Sequence, residues 1–325
     1  MKDITVSVIL PIYNEEKYIQ GCIDSLIKQT YPASKMEWIF IDGNSTDKTV
    51  EIIESYMKTG LYPIILLHND NKKTPYALNM AIPKASGKYI IRMDAHSYFY
   101  PNYIEMCVHY LDTTDADNVG GIAKTEASGF MGQAIAKMLS TKFGVGGSDF
   151  RIGEGNRYVD TVPFGAFRRE VFEKIGLFNT KLIRSEDNDM NSRIRQNGGK
   201  IWLAEDICFK YYCRDTIKDV LKMGLQNGNA LFRTIKENPK AMSVRHFIPF
   251  IFLMSLLFLP LLCIWFEWFR WLFSIEIGCY FLLDLYYSFI KTKPIYGIIN
   301  IWLYPLFHIC YGFGSLLGLC RINLY

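Results

Sequence analysis

The sequence predicts an α/β fold with a mostly parallel, doubly wound sheet, followed by a C-terminal region of transmembrane helices. Short β-branched runs alternate with segments of helical period through the first part of the chain. Half of the 325 residues are hydrophobic, and charged residues nearly vanish between about residues 247 and 320. Because this change in composition is typical of a domain boundary, we assign residues 1–240 to a globular domain and residues 241–325 to a membrane anchor.

Four strands are predicted, with helices between them. The strands are residues 6–11, 37–41, 64–67 and 88–93, and the helices cover residues 15–28, 50–56 and 77–85. Ligands of parallel sheets bind beyond the carboxyl ends of the strands. Here those ends are Pro11 to Glu15, Asp42 to Asp47 and Asp94 to His96, and all three are polar. We therefore expect a site at these turns.

The anchor is predicted to contain about three transmembrane helices, at residues 247–266, 271–290 and 295–320. Glu276 and Asp284 make the second segment marginal by itself, since a central carboxylate costs about 3 kcal/mol and each Leu, Ile or Phe contributes about −0.5 kcal/mol. The basic residues before the first segment and after the second all lie on the cytoplasmic side only if the second segment also spans the membrane, which favours three spans. A buried hairpin of core helices is the alternative, but with so few charges these helices would have no polar face to expose to water.

Composition excludes several other classes of protein. The net charge of +4 has no cluster of Lys and Arg interleaved with aromatic residues, which argues against nucleic acid as a partner. The eight cysteines include no Cys-x-x-Cys pair, so neither a zinc site nor a disulfide framework is predicted. The apolar stretch Ile4 to Ile12 contains Pro11 and runs into acidic residues, unlike a secretory signal. We expect the globular domain to stay in the cytoplasm.

Asp94-Ala95-His96 is the sharpest local motif. An oxygen and an imidazole nitrogen one residue apart at a strand end can point into one cleft and bind a divalent ion. A diphosphate would fill the remaining positions, and the ion would neutralise charge that develops on it as a leaving group. A surface turn is the alternative for this short motif, and its position directly after a predicted strand favours the metal.

Two acidic turns have both structural and chemical interpretations. Asp42, at the strand end, can bond to a base or ribose, whereas Asp47 is more typical of a turn or helix N-cap. The cluster Ser185 to Asp189 can be a capped helix start. Alternatively, one of its carboxylates can take a proton from an attacking hydroxyl.

Six motifs occur in a fixed order along residues 4–235. They are Ser7 to Glu15, Ile41 to Asp47, Asn71 through Asn79, Ala85 to Ile90, Asp94 to His96, and Glu186-Asp187. In this order and spacing they resemble glycosyltransferase family 2, the inverting enzymes with the GT-A fold. A closer resemblance is to the succinoglycan-type bacterial exopolysaccharide transferases. That resemblance is carried by Arg92 to His96, Gly144 to Gly147, Val162 to Arg169, Glu186-Asp187, and His308 with Tyr311-Gly312.

The resemblance implies roles for individual residues. Pro11, Tyr13, Glu15, Asp42 and Asp94 would bind the nucleotide-sugar, Asp94 and His96 would hold Mg²⁺ or Mn²⁺, and Asp187 would be the general base. Residues 1–240 would be the catalytic domain, on the cytoplasmic face of a multi-pass protein of the cell membrane. The donor is expected to carry UDP and the acceptor to be a polyprenyl-diphosphate-linked saccharide.

Three departures from the family pattern affect details. Asp42 is followed by Gly43 where many members have a second aspartate, and Asp-x-His replaces Asp-x-Asp, which implies an altered metal preference. The Gln-x-x-Arg-Trp element of processive members is absent, which favours addition of a single sugar.

Other interpretations stay open at this point. Residues 216–240 can form a helix on the membrane surface or one packed on the catalytic domain. The acceptor can be a polyprenyl phosphate instead of a sugar hydroxyl, in which case base catalysis would matter little. A catalytically silent subunit that binds nucleotide-sugar is a third hypothesis, disfavoured by the presence of Asp94, His96 and Asp187 together.

Overall fold

The computed structural model describes residues 4–153 and 155–324 and divides the chain into two compact units. The first, which we call the sheet unit, runs to Lys124 and continues through Gly153–Tyr211. The second, the helical unit, comprises Thr125–Ile152 and the chain from Tyr212 onward. Residues 125–152 and 212–240 thus group with the tail, while the assignment of residues 1–240 to a catalytic domain stays a prediction.

Nine strands of one sheet lie within the described residues. They are β1 (Val6–Ile12), β2 (Met36–Asp42), β3 (Ile64–His68), β4 (Tyr89–Arg92), β5 (Ser97–Phe99), β6 (Asn118–Glu126), β7 (Arg157–Tyr158), β8 (Ala166–Arg168) and β9 (Ile201–Tyr212). The four predicted strands correspond to β1 to β4, which confirms the α/β class.

The α-helices of the two units follow in chain order. They are α1 (Ile19–Ile27), α2 (Thr49–Lys58), α3 (Thr74–Ala81), α4 (Tyr103–Thr113), α5 (Gly129–Met138), α6 (Lys142–Val145), α7 (Asp149–Ile152), α8 (Arg169–Ile175), α9 (Glu186–Gln196), α10 (Ile217–Glu237), α11 (Ile248–Trp265), α12 (Glu267–Leu285) and α13 (Pro294–Leu319). Short 3₁₀ turns cover Ala33–Lys35, Ile82–Lys84, Pro239–Ala241 and Val244–His246, and a π-helical turn covers Tyr286–Ile290.

The sheet is mixed, because only its first half is parallel. Its order is β3-β2-β1-β4-β8-β6-β9-β5, and β7 pairs with β9. The strands from β3 to β4 pair in parallel, whereas β8 is antiparallel to both β4 and β6. The expectation of a mostly parallel sheet therefore describes β1 to β4, whose carboxyl ends meet at one edge.

The central strands are held together by a buried polar contact. The Ser7 hydroxyl donates to the Glu37 carboxylate over 2.6 Å and accepts from the Gly87 backbone N–H over 2.8 Å. A Cβ at Gly87 would lie 2.6 Å from the Ser7 nitrogen, so the chain can enter β4 this close to β1 only as glycine. This packing fixes the register of β1, β2 and β4, and with it the turns that follow them.

Three helices of the helical unit, α11, α12 with its π-turn, and α13, are long and apolar enough to cross a membrane. They correspond to the three predicted segments within a few residues. This finding rests on the length and the apolar composition of the three helices. By composition, membrane association is the expected state of this unit.

Candidate active site

The carboxyl ends of β1 and β4 bring three potential metal ligands together. Glu15 lies in the turn after β1, and Asp94 and His96 lie in the turn after β4. His96 Nδ1 is 3.0 Å from Glu15 Oε1 and 3.0 Å from Asp94 Oδ1, and the three ligand atoms lie within 4.8 Å of one another. Two carboxylates and an imidazole form a donor set that suits a divalent cation such as Mn²⁺.

The ionised forms of His96 and Asp94 stabilise each other. Burial opposes the charge on His96, but the Asp94 carboxylate and the bond to Glu15 raise its pKa well above the usual value. Burial likewise opposes ionisation of Asp94, and the adjoining His96 holds the pKa of that carboxyl below its usual value. A metal ion must therefore displace a proton from His96.

A second cluster is centred on Arg92, the last residue of β4. Its guanidinium is only 7% exposed; Nη2 donates to Glu186 Oε1 over 3.0 Å, and Nη1 donates to Asp187 Oδ1. Nε–H is buried without a partner among the described residues. Arg92 lines the same cleft as Glu15, Asp94 and His96, so the cluster adjoins the triad through this residue.

Asp187 is held from two sides. Its Oδ2 accepts from the backbone N–H of Phe164 over 3.4 Å, while Arg92 holds Oδ1. Burial raises the pKa of Asp187 to about 6, with Arg92 acting in the opposite direction. A carboxylate of raised basicity, fixed in orientation, is suited to accept a proton near neutral pH.

The backbone around Asp187 is unusual at two positions. Phe164 has φ +63° and Ser185 has φ +65°, which is uncommon for residues other than glycine. Ser185 precedes α9 but makes no side-chain cap, so the capped helix start considered for residues 185–189 lacks that bond. Strained backbone that presents a carboxylate and an N–H is common at functional sites.

The cleft itself holds most of the residues expected to bind nucleotide. Its lining includes Pro11, Tyr13, Glu15, Gly43, Asn69, Lys72, Lys73, Arg92, Asp94 and His96. Tyr13 is 46% exposed, and the Lys72 amine lies 5.8 Å from the centre of its ring. An exposed aromatic face beside two lysines can stack a base and attract a diphosphate.

Asp42 and Asp47 are not among the residues that line this cleft, and both have partners of their own. Asp42 is 2% exposed and accepts from the Ser45 N–H, and His68 Nδ1 lies 3.7 Å away. Asp47 accepts from the N–H groups of Thr49 and Glu16, which ties the start of α2 to the turn after β1. The suggested contact of Asp42 with base or ribose stays a prediction.

Two features of the site were not assigned from sequence. Glu15 was expected to contact nucleotide, and the structure places it also in the metal triad. Arg92 was part of a motif without a role, and it bridges two carboxylates more than ninety residues along the chain. Its position two residues before Asp94, at a strand end, was the available signal.

Comparison with known proteins identifies the family. A sequence profile described as "Glycosyl transferase family 2" matches residues 7–176. The chain belongs to glycosyltransferase family 2. As a member, it is an enzyme that transfers a sugar from a nucleotide sugar, and its sheet unit has the GT-A fold.

Two relatives of this glycosyltransferase match over much of its length. It is 30% identical over 326 residues to a dolichyl N-acetyl-alpha-D-glucosaminyl phosphate 3-beta-D-2,3-diacetamido-2,3-dideoxy-beta-D-glucuronosyltransferase of Methanococcus voltae, covering 98% of both chains. It is 28% identical over 209 residues to the succinoglycan biosynthesis protein ExoA of Rhizobium meliloti, covering 64% of this chain and 63% of that protein.

A solved structure supports the fold. The mannosyltransferase PcManGT of Pyrobaculum calidifontis, in complex with GDP-Man and Mn²⁺, superposes with a TM-score of 0.67 at 17% identity. The match covers 97% of this glycosyltransferase and 87% of that chain. At this identity the likeness concerns the fold alone.

Proposed function

We propose that this glycosyltransferase moves a single sugar, with inversion, from a nucleotide-sugar to a hydroxyl of a lipid-linked saccharide. The observation that carries the proposal is a cleft lined by the Glu15–Asp94–His96 triad and by Arg92, whose guanidinium holds Asp187. The product would be a cell-surface glycan, such as a bacterial exopolysaccharide or capsule. Catalysis would take place at the cytoplasmic face of the cell membrane.

Donor binding is assigned to the part of the cleft around Tyr13, Lys72 and the triad. Tyr13 would stack on the base, Pro11 and Asp42 would border the nucleoside, and Lys72 would attract the diphosphate. Glu15, Asp94 and His96 would hold Mg²⁺ or Mn²⁺, which when bound supplies Lewis-acid neutralisation of the leaving diphosphate. UDP is the expected nucleotide by family resemblance.

The transfer step is assigned to Asp187. The acceptor oxygen gives its proton to the Asp187 carboxylate and forms a bond to the anomeric carbon as the bond from that carbon to the diphosphate breaks. Attack on the face opposite the leaving group converts an α-linked donor into a β-linked product. Arg92 and the Phe164 N–H keep the carboxylate oriented, which is a positioning role.

The acceptor class draws support from the Methanococcus relative. Its name describes transfer to position 3 of a sugar on dolichyl phosphate, so its acceptor is a hydroxyl on a lipid-linked saccharide. A similar acceptor here would need a base, and Asp187 is suited to that task. A polyprenyl phosphate acceptor is already ionised and would need none.

Substitution of Asp187 separates these acceptors. We expect Asp187→Asn to retain donor binding, measured by calorimetry, and to slow transfer of labelled sugar to membrane lipid extracts by about 10²- to 10⁴-fold. Asp112→Asn is the matched control, since that carboxylate bonds to Lys88 and Tyr89. Transfer by Asp187→Asn at nearly the control rate would rule out the hydroxyl mechanism and favour a phosphate acceptor.

A further inference from the structure

Helix α13 has the length and composition of a membrane span but unusual surroundings. In the most apolar 18-residue window of α13, 39% of the residues are buried within the protein. The corresponding values are 6% for α11 and 11% for α12 with its π-turn. A helix that crosses a bilayer beside one hairpin would expose most of its surface to lipid. The identity of the helices that cover α13 is therefore informative.

The C-terminal half of α13 lies against α10 along several turns. A Cβ at Gly228 of α10 would lie 1.9 Å from the Tyr311 carbonyl oxygen, and a Cβ at Gly314 of α13 would lie 2.0 Å from that of Leu225. Further along, the Asn229 side chain donates to the Ile322 carbonyl over 2.8 Å. The two backbones are thus in contact from one end of this half to the other. In a membrane, the two helices would lie at the same depth.

The composition of helix α10 is not that of a lipid-facing helix. It carries the polar residues Gln226 and Asn227 between the positions that contact α13, and the cations Lys222 and Arg233 within a turn of them. A cation near the centre of a bilayer costs about 2.5–3.5 kcal/mol on the insertion scale. Placing the C-terminal half of α13 in the hydrocarbon core would bring these groups to the same depth.

The N-terminal half of α13 is covered by another part of the helical unit, residues 129–145. Tyr296 bonds to Gln133 of α5, and the Tyr304 hydroxyl lies 2.8 Å from the Thr141 hydroxyl. His308, just beyond the middle of the helix, donates from Nε2 to the Phe143 carbonyl over 2.9 Å. One side of α13 therefore faces the α5–α6 segment and α10 over its whole length.

The opposite side of α13 is an exposed apolar stripe. Its residues are Ile295, Ile298, Trp302, Leu306, Ile309 and Phe313. At 3.6 residues per turn these positions fall within an arc of about 80°. Lysines at 291 and 293 and Arg321 lie at its two ends, exposed to solvent. A helix with one apolar face and basic ends is typical of the membrane–water interface.

We propose that α13 lies in the membrane interface with this stripe toward the acyl chains and does not cross the bilayer. The proposal rests on the proposed membrane location. It leaves α11 and α12 as one spanning hairpin. The exposed Trp265 ends α11, and the exposed Trp268 and Trp271 lie in the first turns of α12, as expected of tryptophans at the opposite membrane interface. The C-terminus then stays on the cytoplasmic side, in place of the three spans predicted from sequence.

Depth measurements with nitroxide labels test this arrangement in the full-length protein. Cysteines placed at Ile298, Leu306 and Phe313, with the exposed Cys279 and Cys320 replaced by Ser, would carry the label in vesicles. Along the axis, Leu306 is about 12 Å from Ile298 and about 10 Å from Phe313. We expect equal, shallow depths at all three positions, measured by collision with oxygen and with a polar nickel reagent.

A spanning helix gives a different pattern. Leu306 would then lie deepest, by an amount close to its axial distance from the other two labels, and that result would overturn the proposal. Labels at Ile251, Phe258 and Ile264 of α11 are the matched control and should show such a gradient. Spin–spin broadening with low oxygen access at all three stripe positions would mean that a second copy covers the stripe, which also contradicts the proposal.

Reporters fused to the C-terminus give an independent answer. We expect fluorescence from a fused fluorescent protein that matures only in the cytoplasm. We expect no activity from fused alkaline phosphatase, which becomes active only on the opposite side of the membrane. The reverse pattern would establish three spans. Neither readout depends on sugar transfer, so failure here would leave the proposed enzyme function intact.

Discussion

At the residue scale, the ionisation of Asp187 should set the acid limb of activity. Burial raises the pKa of this carboxyl to about 6, and the neighbouring Glu186 adds to the effect while Arg92 opposes it. Because the base must be ionised, kcat should fall as pH falls through about 6, by about tenfold per pH unit below it. An ordinary aspartate would keep its rate to about pH 4.

The measurement is kcat at saturating donor from about pH 5 to about pH 8. Asp112→Asn should reproduce the wild-type profile, since its partners lie elsewhere on the sheet unit. A rate that stays flat to about pH 5 would mean that Asp187 is not the group that loses its charge in this range.

Arg92 gives a second prediction at this scale. Lysine keeps the positive charge but lacks the planar fork that bonds Glu186 and Asp187 together. We expect Arg92→Lys to lower kcat about 10-fold to about 100-fold, with a smaller change in KM and an acid limb moved to higher pH. The pH shift separates loss of positioning from simple loss of stability.

Arg168→Lys is the control for that substitution. Arg168 also uses its fork within the sheet unit, but its partners are the backbone carbonyls of Leu111, Thr114 and Ala116. Its replacement should lower the thermal unfolding temperature without moving the pH profile. Equal profiles for both variants would remove Arg92 from the positioning role.

The sequence located Asp94, His96 and Asp187 because each belongs to a motif at a predicted strand or helix end. It did not assign Arg92, whose carboxylate partners come from α9, because bonds between residues so far apart depend on how the sheet closes. For the same reason it placed Glu15 with the nucleotide alone, although its oxygen lies 3.0 Å from His96.

At the element scale, close contact between α10 and α13 should depend on glycine. A Cβ at Gly228 would lie 1.9 Å from the Tyr311 carbonyl oxygen, so Gly228→Ala must separate the helices. We expect a loss of about 1–3 kcal/mol in the free energy of unfolding, measured in detergent. The gain in helix propensity from alanine, about 1 kcal/mol, offsets only part of it.

Gly278→Ala in α12 is the matched control. A Cβ at Gly278 meets nothing within 4 Å, so alanine there should be neutral or slightly stabilising. Similar destabilisation of both variants would show that the α10–α13 contact contributes nothing specific.

Elements with strong local patterns were predicted, and those that depend on distant pairing were not. β1 and β2 are buried along nearly their whole length and read as apolar runs. β8 has three residues and β7 has two, too short for any period to be detected. Their antiparallel pairing, which makes the sheet mixed, is set by tertiary contacts.

At the scale of the whole molecule, composition identified the apolar tail but could not describe what lies beside each helix. The count of charges within residues 295–320 ignores α10, which packs against α13 and carries Lys222 and Arg233. A hydropathy scale evaluates a helix alone, whereas the location of α13 depends on its neighbours.

The central claim is that the cleft binds a nucleotide-sugar through a metal held by Asp94 and its neighbours, and that it catalyses transfer. The most direct measurement is nucleotide release from a panel of UDP-, GDP- and dTDP-sugars by detergent-solubilised protein, with Mg²⁺ or Mn²⁺ and then with chelator. We predict release from one donor that requires the metal and is lost in Asp94→Ala. Folded protein that binds nucleotide but releases none from any donor, even with added lipid acceptor, would contradict the account and indicate a silent binding subunit.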